Sequence, residues 1–213
     1  MKKILLVFLL LGLLNGCEDK PNDKKEKTEI SSVNLTEAET YYNNGNVKYR
    51  LKNYKGAILD YDKAILLNPK FVSVFNSRGS AKNNLKNHEE AILDFDKAIK
   101  LDPKYASAYY NRGNAKFNLM NYKGAIADYD KAIKLDPKYI SAYYNRGNAK
   151  YDLKSYNDAI ADYNKVIKLD SKYASAYYNR GLPKYDLKDY EGASSDFDKA
   201  NELNPELKNP IKN

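Results

Sequence analysis

The chain has 213 residues and is basic, with 36 Lys and Arg against 28 Asp and Glu. It holds one Cys, one His and no Trp, which excludes an intramolecular disulfide and most His- or Cys-based metal and catalytic sites. The sequence also lacks the Gly-rich phosphate loop, the nucleophile elbow and the His-Glu zinc motif. We therefore expect no metal, no cofactor and no enzymatic activity.

The first 16 residues have the pattern of a targeting segment. Lys2 and Lys3 precede an apolar run at residues 4–14. As a helix this run would be only about 16 Å long, whereas the hydrocarbon core of a bilayer is about 30 Å thick. We therefore expect a cleavable signal peptide at residues 1–16 and not a transmembrane helix.

The end of the apolar run, Leu14-Asn15-Gly16-Cys17, resembles the signal of bacterial lipoproteins. The resemblance implies cleavage before Cys17 and attachment of membrane lipid to its sulfur. The protein would then be anchored in the cell envelope and face the extracytoplasmic space. The alternative is an ordinary secretory signal with an incidental Cys. Residues 17–35 are polar and lack a helical apolar stripe, which predicts a lipidated Cys followed by a disordered tether.

A 34-residue period dominates the rest of the chain. Glycine, alanine and an aromatic residue each recur at a fixed place in five successive units, and proline recurs in all but one, where Ser171 replaces it. The glycines are Gly45, Gly79, Gly113, Gly147 and Gly181; the aromatic residues are Tyr61, Phe95, Tyr129, Tyr163 and Phe197. In one unit, Tyr109, Gly113 and Lys116 share one helical face, and Asp136-Pro137 ends the unit because proline cannot continue a helix.

This period and its residues resemble the tetratricopeptide repeat (TPR) family over residues 38–207. The resemblance implies an all-α fold, a right-handed superhelical solenoid of five helix-turn-helix repeats. A capping box at residues 36–39 is expected to open the domain at residue 36, and residues 208–213 form a C-terminal tail. The repeats are 38–71, 72–105, 106–139, 140–173 and 174–207; positions within each repeat are numbered 1–34 below, with helix A first and helix B second.

Two features predict local behaviour within the array. Pro183 lies inside helix A of repeat 5, so we expect a kink there. Asp at position 23 recurs in every repeat, and Arg at position 7 recurs in all but the first. We therefore expect each Arg to pair with the Asp of the preceding repeat. The predicted pairs are Asp60–Arg78, Asp94–Arg112, Asp128–Arg146 and Asp162–Arg180.

Helix A has a second face, which in the TPR family lines the concave groove where partners bind. Aromatic rings supply rigid apolar area there, and Asn side chains can pair with a peptide backbone. We term this set the Tyr–Asn face. It comprises Tyr110, Asn111, Asn114, Phe117, Tyr144, Asn145, Asn148, Tyr151, Tyr178, Asn179 and Tyr185.

Two functions fit these residues. The first is a non-catalytic, membrane-anchored scaffold that holds a protein or peptide in the groove. The second is a glycan- or peptidoglycan-binding lipoprotein, since Tyr and Asn also suit sugars. Basic and acidic residues are interspersed along the repeats, so we expect no nucleic-acid partner. The competing interpretation of the tyrosines is that they pack between adjacent helices and are unavailable to a partner.

Overall fold

The computed structural model describes residues 22–211 of the chain, with side chains from residue 34 onward. The predicted signal peptide and Cys17 lie outside these residues. The described part is all-α, and none of its helices is long and apolar enough to cross a bilayer. The helices are α1 (Asn22–Arg50), α2 (Tyr54–Leu67), α3 (Val72–Asn84), α4 (His88–Leu101), α5 (Ala106–Asn118), α6 (Tyr122–Leu135), α7 (Ile140–Asp152), α8 (Tyr156–Leu169), α9 (Ala174–Asp186) and α10 (Tyr190–Leu203).

The helices form a solenoid of five A–B pairs, as the sequence predicts. Each helix packs against its neighbours in the chain, and the A helices of adjacent repeats also touch one another. Among the described helices, the B helices of adjacent repeats make no such contact. The A helices are therefore the more closely spaced row, which is the row on the inside of the curve. Their exposed residues line the concave side.

Glycine at position 8 lets the two helices of a repeat approach each other. A Cβ atom on Gly113 would lie 2.6 Å from Cε1 of Tyr129, which is far inside van der Waals contact. Tyr129 is fully buried and is flanked on α6 by the buried alanines Ala125 and Ala132. Small residues on both helices thus make room for one large ring in each repeat.

A Schellman turn joins helix A to helix B. In repeat 3, the backbone N–H of Asn121 donates to the carbonyl of Lys116 at 2.9 Å, and that of Met120 donates to Phe117 at 2.8 Å. Met120 consequently adopts a left-handed conformation with φ of 58°. Asn121 then caps α6 by accepting a hydrogen bond from Gly124 N–H at 3.0 Å. The other repeats place Lys52, Lys86, Lys154 and Lys188 in the same left-handed conformation.

The start of the first helix differs from the sequence prediction. Helix α1 begins at Asn22, so residues 22–35, predicted as a disordered tether, are helical instead. Thr36 is inside the helix and its carbonyl accepts a hydrogen bond from Thr40 Oγ1, so the predicted capping box does not open a helix. Extending an existing helix avoids the unfavourable nucleation step, and the stretch Lys24-Lys25-Glu26-Lys27 has good helix propensity.

The end of the array is covered by the chain's own tail. Position 21, an isoleucine in the first four repeats, is Ser194 in the last, and position 28 is Asn201. Asn209 is buried against α10, where its Nδ2 donates to the Ser194 carbonyl at 3.3 Å and to Asp198 Oδ1 at 2.9 Å. The outer face of α10 is therefore polar and covered by residues of the tail.

Pro183 does not interrupt α9. The helix runs from Ala174 to Asp186, the same 13 residues as α3, α5 and α7. The Pro183 side chain is fully buried at position 10, where repeats 2, 3 and 4 bury alanine. The missing N–H therefore costs one hydrogen bond in a helix that neighbouring helices hold in place.

The A-helix face as a candidate binding site

The structure keeps the Tyr–Asn face accessible. All eleven of its residues are half-buried or exposed, and none is buried. The most exposed is Tyr185, at 47%. The residues lie on α5, α7 and α9, three consecutive members of the inner row. They form one continuous surface along repeats 3 to 5.

The rings at position 5 both pack and face the groove. The Tyr144 ring centroid lies 5.2 Å from that of Tyr173 and 6.0 Å from that of Tyr163. Burial raises the pKa of Tyr144, with a further contribution from the nearby Tyr173. Tyr110 and Tyr178 make similar ring contacts within their own repeats. These rings therefore contact buried aromatic residues of helix B while they remain half-buried themselves.

The asparagines form a hydrogen-bonded ladder between repeats. Asn145 Nδ2 donates to Tyr110 Oη at 3.1 Å and to Asn114 Oδ1 at 2.8 Å, across the boundary of repeats 3 and 4. Asn114 Oδ1 also accepts from Tyr129 Oη at 2.8 Å. The next boundary repeats this unit with Asn179, Tyr144, Asn148 and Tyr163.

The ladder preorganises the face. The Nδ2 group of Asn145 is used between repeats, so its Oδ1 atom is the group available to a ligand N–H. Burial, together with the neighbouring Tyr110, raises the pKa of Tyr129 far above its usual value. The sequence predicts these asparagines as ligand contacts, whereas the structure also uses them to join adjacent repeats. The 34-residue recurrence of Asn at positions 6 and 9 was the available signal.

Position 12 provides the second set of rings on this face, of which Tyr185 is exposed. Tyr151 packs against Tyr156 at a centroid distance of 5.7 Å and remains half-buried. Burial and a hydrogen bond to Asp186 raise the pKa of Tyr151 to about 12. Phe117 and Tyr185 make the same type of contact with the residue five places later. These rings lie at the C-terminal ends of the A helices.

Charge on this face changes sign along the array. Position 13 is Arg50 in repeat 1, asparagine in repeats 2 and 3, and aspartate in repeats 4 and 5. Asp152 and Asp186 are the last residues of α7 and α9, where the negative end of the helix dipole disfavours a carboxylate. Burial raises the pKa of Asp152. Helix stability therefore does not explain these two acids, although Asp186 accepts a hydrogen bond from Tyr151 of the preceding repeat.

The arginines are paired differently from the sequence prediction. Arg112 makes a bidentate contact with Asp128 of its own repeat, with Nε to Oδ2 at 2.9 Å and Nη2 to Oδ1 at 2.5 Å. Its Nη1 reaches back to Asp96, at position 25 of the preceding repeat, at 2.5 Å. The predicted partner at position 23 of the preceding repeat is therefore wrong. The cause is the close packing of helices A and B within a repeat, which leaves position 25 nearer the boundary.

The same arrangement recurs with Arg78, Arg146 and Arg180, which pair with Asp94, Asp162 and Asp196 of their own repeats. Burial alone would lower the pKa of Arg112, but its hydrogen bonds to Asp128 and Asp96 raise it overall. The aspartate without an arginine is therefore Asp60 in repeat 1, and not Asp196 as predicted. Asp60 is buried and contacts Lys48 Nζ at 2.6 Å.

Models of the TPR family match most of the repeat region. Models described as "Tetratricopeptide repeat" match residues 38–71, 106–139 and 174–207, and one described as "TPR repeat" matches 81–119 and 147–182. Together these matches cover well over half of the chain. The chain belongs to the tetratricopeptide repeat family. A comparison with curated protein sequences finds no match.

Solved structures of TPR proteins have the same fold. A crystal structure of MamA is 28% identical, with a TM-score of 0.70, covering 76% of this chain and 95% of MamA. YrrB, described as a TPR protein with an unusual peptide-binding site, is 22% identical, with a TM-score of 0.67, and covers 86% and 92%. PilF of Pseudomonas aeruginosa is 17% identical, with a TM-score of 0.73, and covers 80% and 78%. The similarity to YrrB and to PilF shows the shared fold alone.

The one histidine of this TPR protein has a structural partner. His88 takes position 17, where the other repeats have tyrosine, and its Nδ1 lies 2.6 Å from Asn83 Oδ1 at position 12. Because an amide oxygen only accepts, Nδ1 carries the proton. No group of three or more potential metal ligands occurs among the described residues. The TPR fold is typical of non-catalytic scaffolds that bind proteins or peptides.

Proposed function

We propose that this TPR protein is a non-catalytic scaffold, lipid-anchored through Cys17 in the cell envelope, that binds a protein or peptide along the Tyr–Asn face. The observation that carries the proposal is the accessibility of that face. Its eleven residues are half-buried or exposed on the inner row of helices. Rings at position 12 supply apolar area, and the amide oxygens at position 6 accept hydrogen bonds from a backbone.

The anchor rests on the sequence alone. The lone Cys17 follows directly on a short apolar run, at the place where a lipoprotein needs it. Two or more acyl chains would hold the protein stably on a membrane, with the repeats in the extracytoplasmic space. A nucleic-acid partner is not expected, because Arg78, Arg112, Arg146 and Arg180 are engaged by neighbouring side chains.

Photo-crosslinking in intact cells tests the binding face. A photoreactive residue in place of Tyr151 or Tyr185 is expected to capture one protein in stoichiometric yield. The matched control replaces Leu66, which is 83% exposed on helix α2 of the outer row. Capture from position 66 but not from 151 and 185 would place the partner on the wrong side for this proposal. Recovery of wall glycan fragments instead of protein would favour the alternative, a glycan-binding lipoprotein.

Fractionation and mass spectrometry test the anchor. The native protein is expected in the membrane fraction with acyl groups on residue 17, and Cys17→Ser is expected to release it. Asn22→Ser, a similar change five residues further on, serves as the control and should stay in the membrane fraction. An unacylated Cys17 in the native protein would refute the anchor while leaving the binding face to be judged by the crosslinking.

A further inference from the structure

The boundaries of repeats 1 and 2 and of repeats 3 and 4 differ on the inner face. A cleft of about 360 Å³ opens at the boundary of repeats 1 and 2, and we term it the repeat 1–2 cleft. Positions 9, 12, 13 and 24 of one repeat and positions 6 and 9 of the next line it. The lining residues are Asn46, Tyr49, Arg50, Tyr61, Ser77 and Ser80.

The same six positions form a much smaller cleft between repeats 3 and 4. That cleft has a volume of about 150 Å³. Its residues at positions 6 and 9 of the second repeat are Asn145 and Asn148, where the repeat 1–2 cleft has Ser77 and Ser80. Asn145 reaches across the boundary to Asn114 Oδ1 at 2.8 Å, whereas a serine is too short to fill that space. Two serines therefore open the repeat 1–2 cleft.

Arg50 provides the cleft with a positive charge that the chain does not use. The other four arginines each contact an aspartate within 3.0 Å. Arg50 is exposed, and its Nε makes only a long contact of 3.4 Å with the carbonyl of Asn46, four residues earlier in the same helix. Within the described residues, no carboxylate pairs with its guanidinium. The cleft thus combines free volume, two tyrosine rings, hydroxyl groups and an unneutralised arginine.

We propose that the repeat 1–2 cleft binds an acidic side chain, Asp or Glu, from the peptide that occupies the inner face. The carboxylate pairs with the Arg50 guanidinium, and the Ser77 hydroxyl lies in the same cleft. The Ser80 hydroxyl donates to the Asn76 carbonyl of its own helix at 2.9 Å, so Ser80 contributes space and not a donor. The Tyr49 ring beside Arg50 contacts the aliphatic part of the acidic side chain. This inference rests on the proposed peptide-binding function and assigns it a partner chemistry and a position.

The rest of the face disfavours an acidic side chain elsewhere. The residue equivalent to Arg50 is Asn118 in repeat 3, and it is Asp152 and Asp186 in repeats 4 and 5. Like charges at close range repel, so an acidic group is excluded from the two last repeats and attracted to the first. A bound peptide is therefore oriented with its acidic residue at repeat 1.

The test uses peptides displayed on phage as random 12-residue segments that lack a free C-terminal carboxylate. These are selected on the full-length protein in detergent. The selected peptides are expected to share an Asp or Glu, and changing it to Asn or Gln should weaken binding at least about tenfold. Arg50→Asn and Ser77→Asn, which install the residues of repeat 3 and repeat 4 at those positions, should weaken binding by a similar factor. Thermal unfolding of both variants confirms that they fold.

Matched changes at the equivalent cleft complete the design. Asn145→Ser opens the cleft between repeats 3 and 4 without adding a positive charge. Because Asn145 belongs to the Tyr–Asn face, any affinity that this change removes should be the same for an acidic peptide and for its Asn or Gln form, whereas Arg50→Asn should weaken only the acidic form. Selected peptides that lose affinity with Tyr151→Ala but not with Arg50→Asn or Ser77→Asn would overturn the inference and leave the proposed function standing. Failure to select any peptide, or binding that needs a free C-terminal carboxylate, would also overturn it; the first result would count against peptide binding as a whole.

Discussion

Replacing Arg112 by Asn in repeat 3 reproduces a difference that the chain already contains, because repeat 1 has Asn44 at the same position. The change removes both hydrogen bonds from the guanidinium to Asp128 and the one to Asp96. Asp128 would keep only its contact with Lys116 Nζ, at 2.7 Å. Asp60 in repeat 1 has the corresponding contact with Lys48.

The magnitude follows from the burial of the two carboxylates. Asp128 is 4% exposed, and breaking a buried ion pair costs about 3–5 kcal/mol. Lys116 offsets part of this loss, so we expect the Arg112→Asn free energy of unfolding to fall by about 3 kcal/mol. The Asp96 side chain is 48% exposed, and Asp96→Asn should cost about 0.5 kcal/mol, as for a surface pair. Repeat 4 already has an asparagine, Asn164, at position 25, and Arg180 of repeat 5 contacts it at 2.5 Å. An asparagine at position 96 can therefore keep the contact with Arg112.

Urea unfolding followed by far-UV circular dichroism measures both variants. Hydrogen exchange by mass spectrometry is needed beside it, because a repeat array can open locally. Loss of protection after Arg112→Asn should centre on α5 and α6, which contain both members of the bidentate pair. Repeats 1 and 5 should change least.

A double-mutant cycle distinguishes the observed pairing, within one repeat, from the predicted pairing with the preceding repeat. The structure predicts strong coupling between Arg112 and Asp128 and little between Arg112 and Asp94, the partner expected from the sequence. Equal destabilisation by Arg112→Asn and Asp96→Asn would refute the reasoning from burial. Coupling of Arg112 to Asp94 that exceeded its coupling to Asp128 would refute the observed pairing itself.

Three further outcomes test the packing, each by urea or thermal unfolding. Gly113→Ala should lower stability by about 1–3 kcal/mol, because its Cβ would lie 2.6 Å from Tyr129. Met120→Gly should raise it by about 0.5–1 kcal/mol by relieving the left-handed conformation at φ of 58°, whereas Met120→Ala should not. Stability should also fall as the pH rises above about 10, because burial raises the folded-state pKa of Tyr129 and Tyr163 and the unfolded tyrosines ionise first. Tyr163→Phe should make that fall shallower.

Most of the fold could be predicted because the same residue types occupy the same packing positions in all five repeats. Glycine at position 8 and an aromatic ring at position 24 are a steric pair, and their recurrence identifies both helices and the contact between them. Residues 22–35 could not be predicted in the same way. They lie before the first repeat, so no periodic pattern signals their helix, and their helicity depends on continuity with α1.

The arginine partners and the asparagine ladder were not predictable from spacing alone. Positions 23 and 25 both carry acids, and only the tilt of helix A against helix B decides which one Arg112 reaches within its own repeat. Asn145 was recognised as part of a face, but the sequence does not show that its Nδ2 is used by Tyr110 and Asn114. The 34-residue period therefore does not determine which side chains meet at a boundary between repeats.

The five repeats can be compared with one another, and that comparison separates structural from functional residues. A residue that recurs wherever a neighbouring repeat is present, such as Arg at position 7, belongs to the packing. A residue that changes between repeats with the same helix packing is not explained by that packing. Position 13 changes from Arg50 to Asp186 along one row of equivalent helices, and position 6 is serine only in repeat 2, where the cleft is larger than its equivalent between repeats 3 and 4. Contacts between repeats account for Asp186, which accepts a hydrogen bond from Tyr151, but not for Arg50, whose one contact among the described residues is with the Asn46 carbonyl of its own helix. A partner with an acidic group at the repeat 1–2 cleft is the physical explanation that we propose for Arg50.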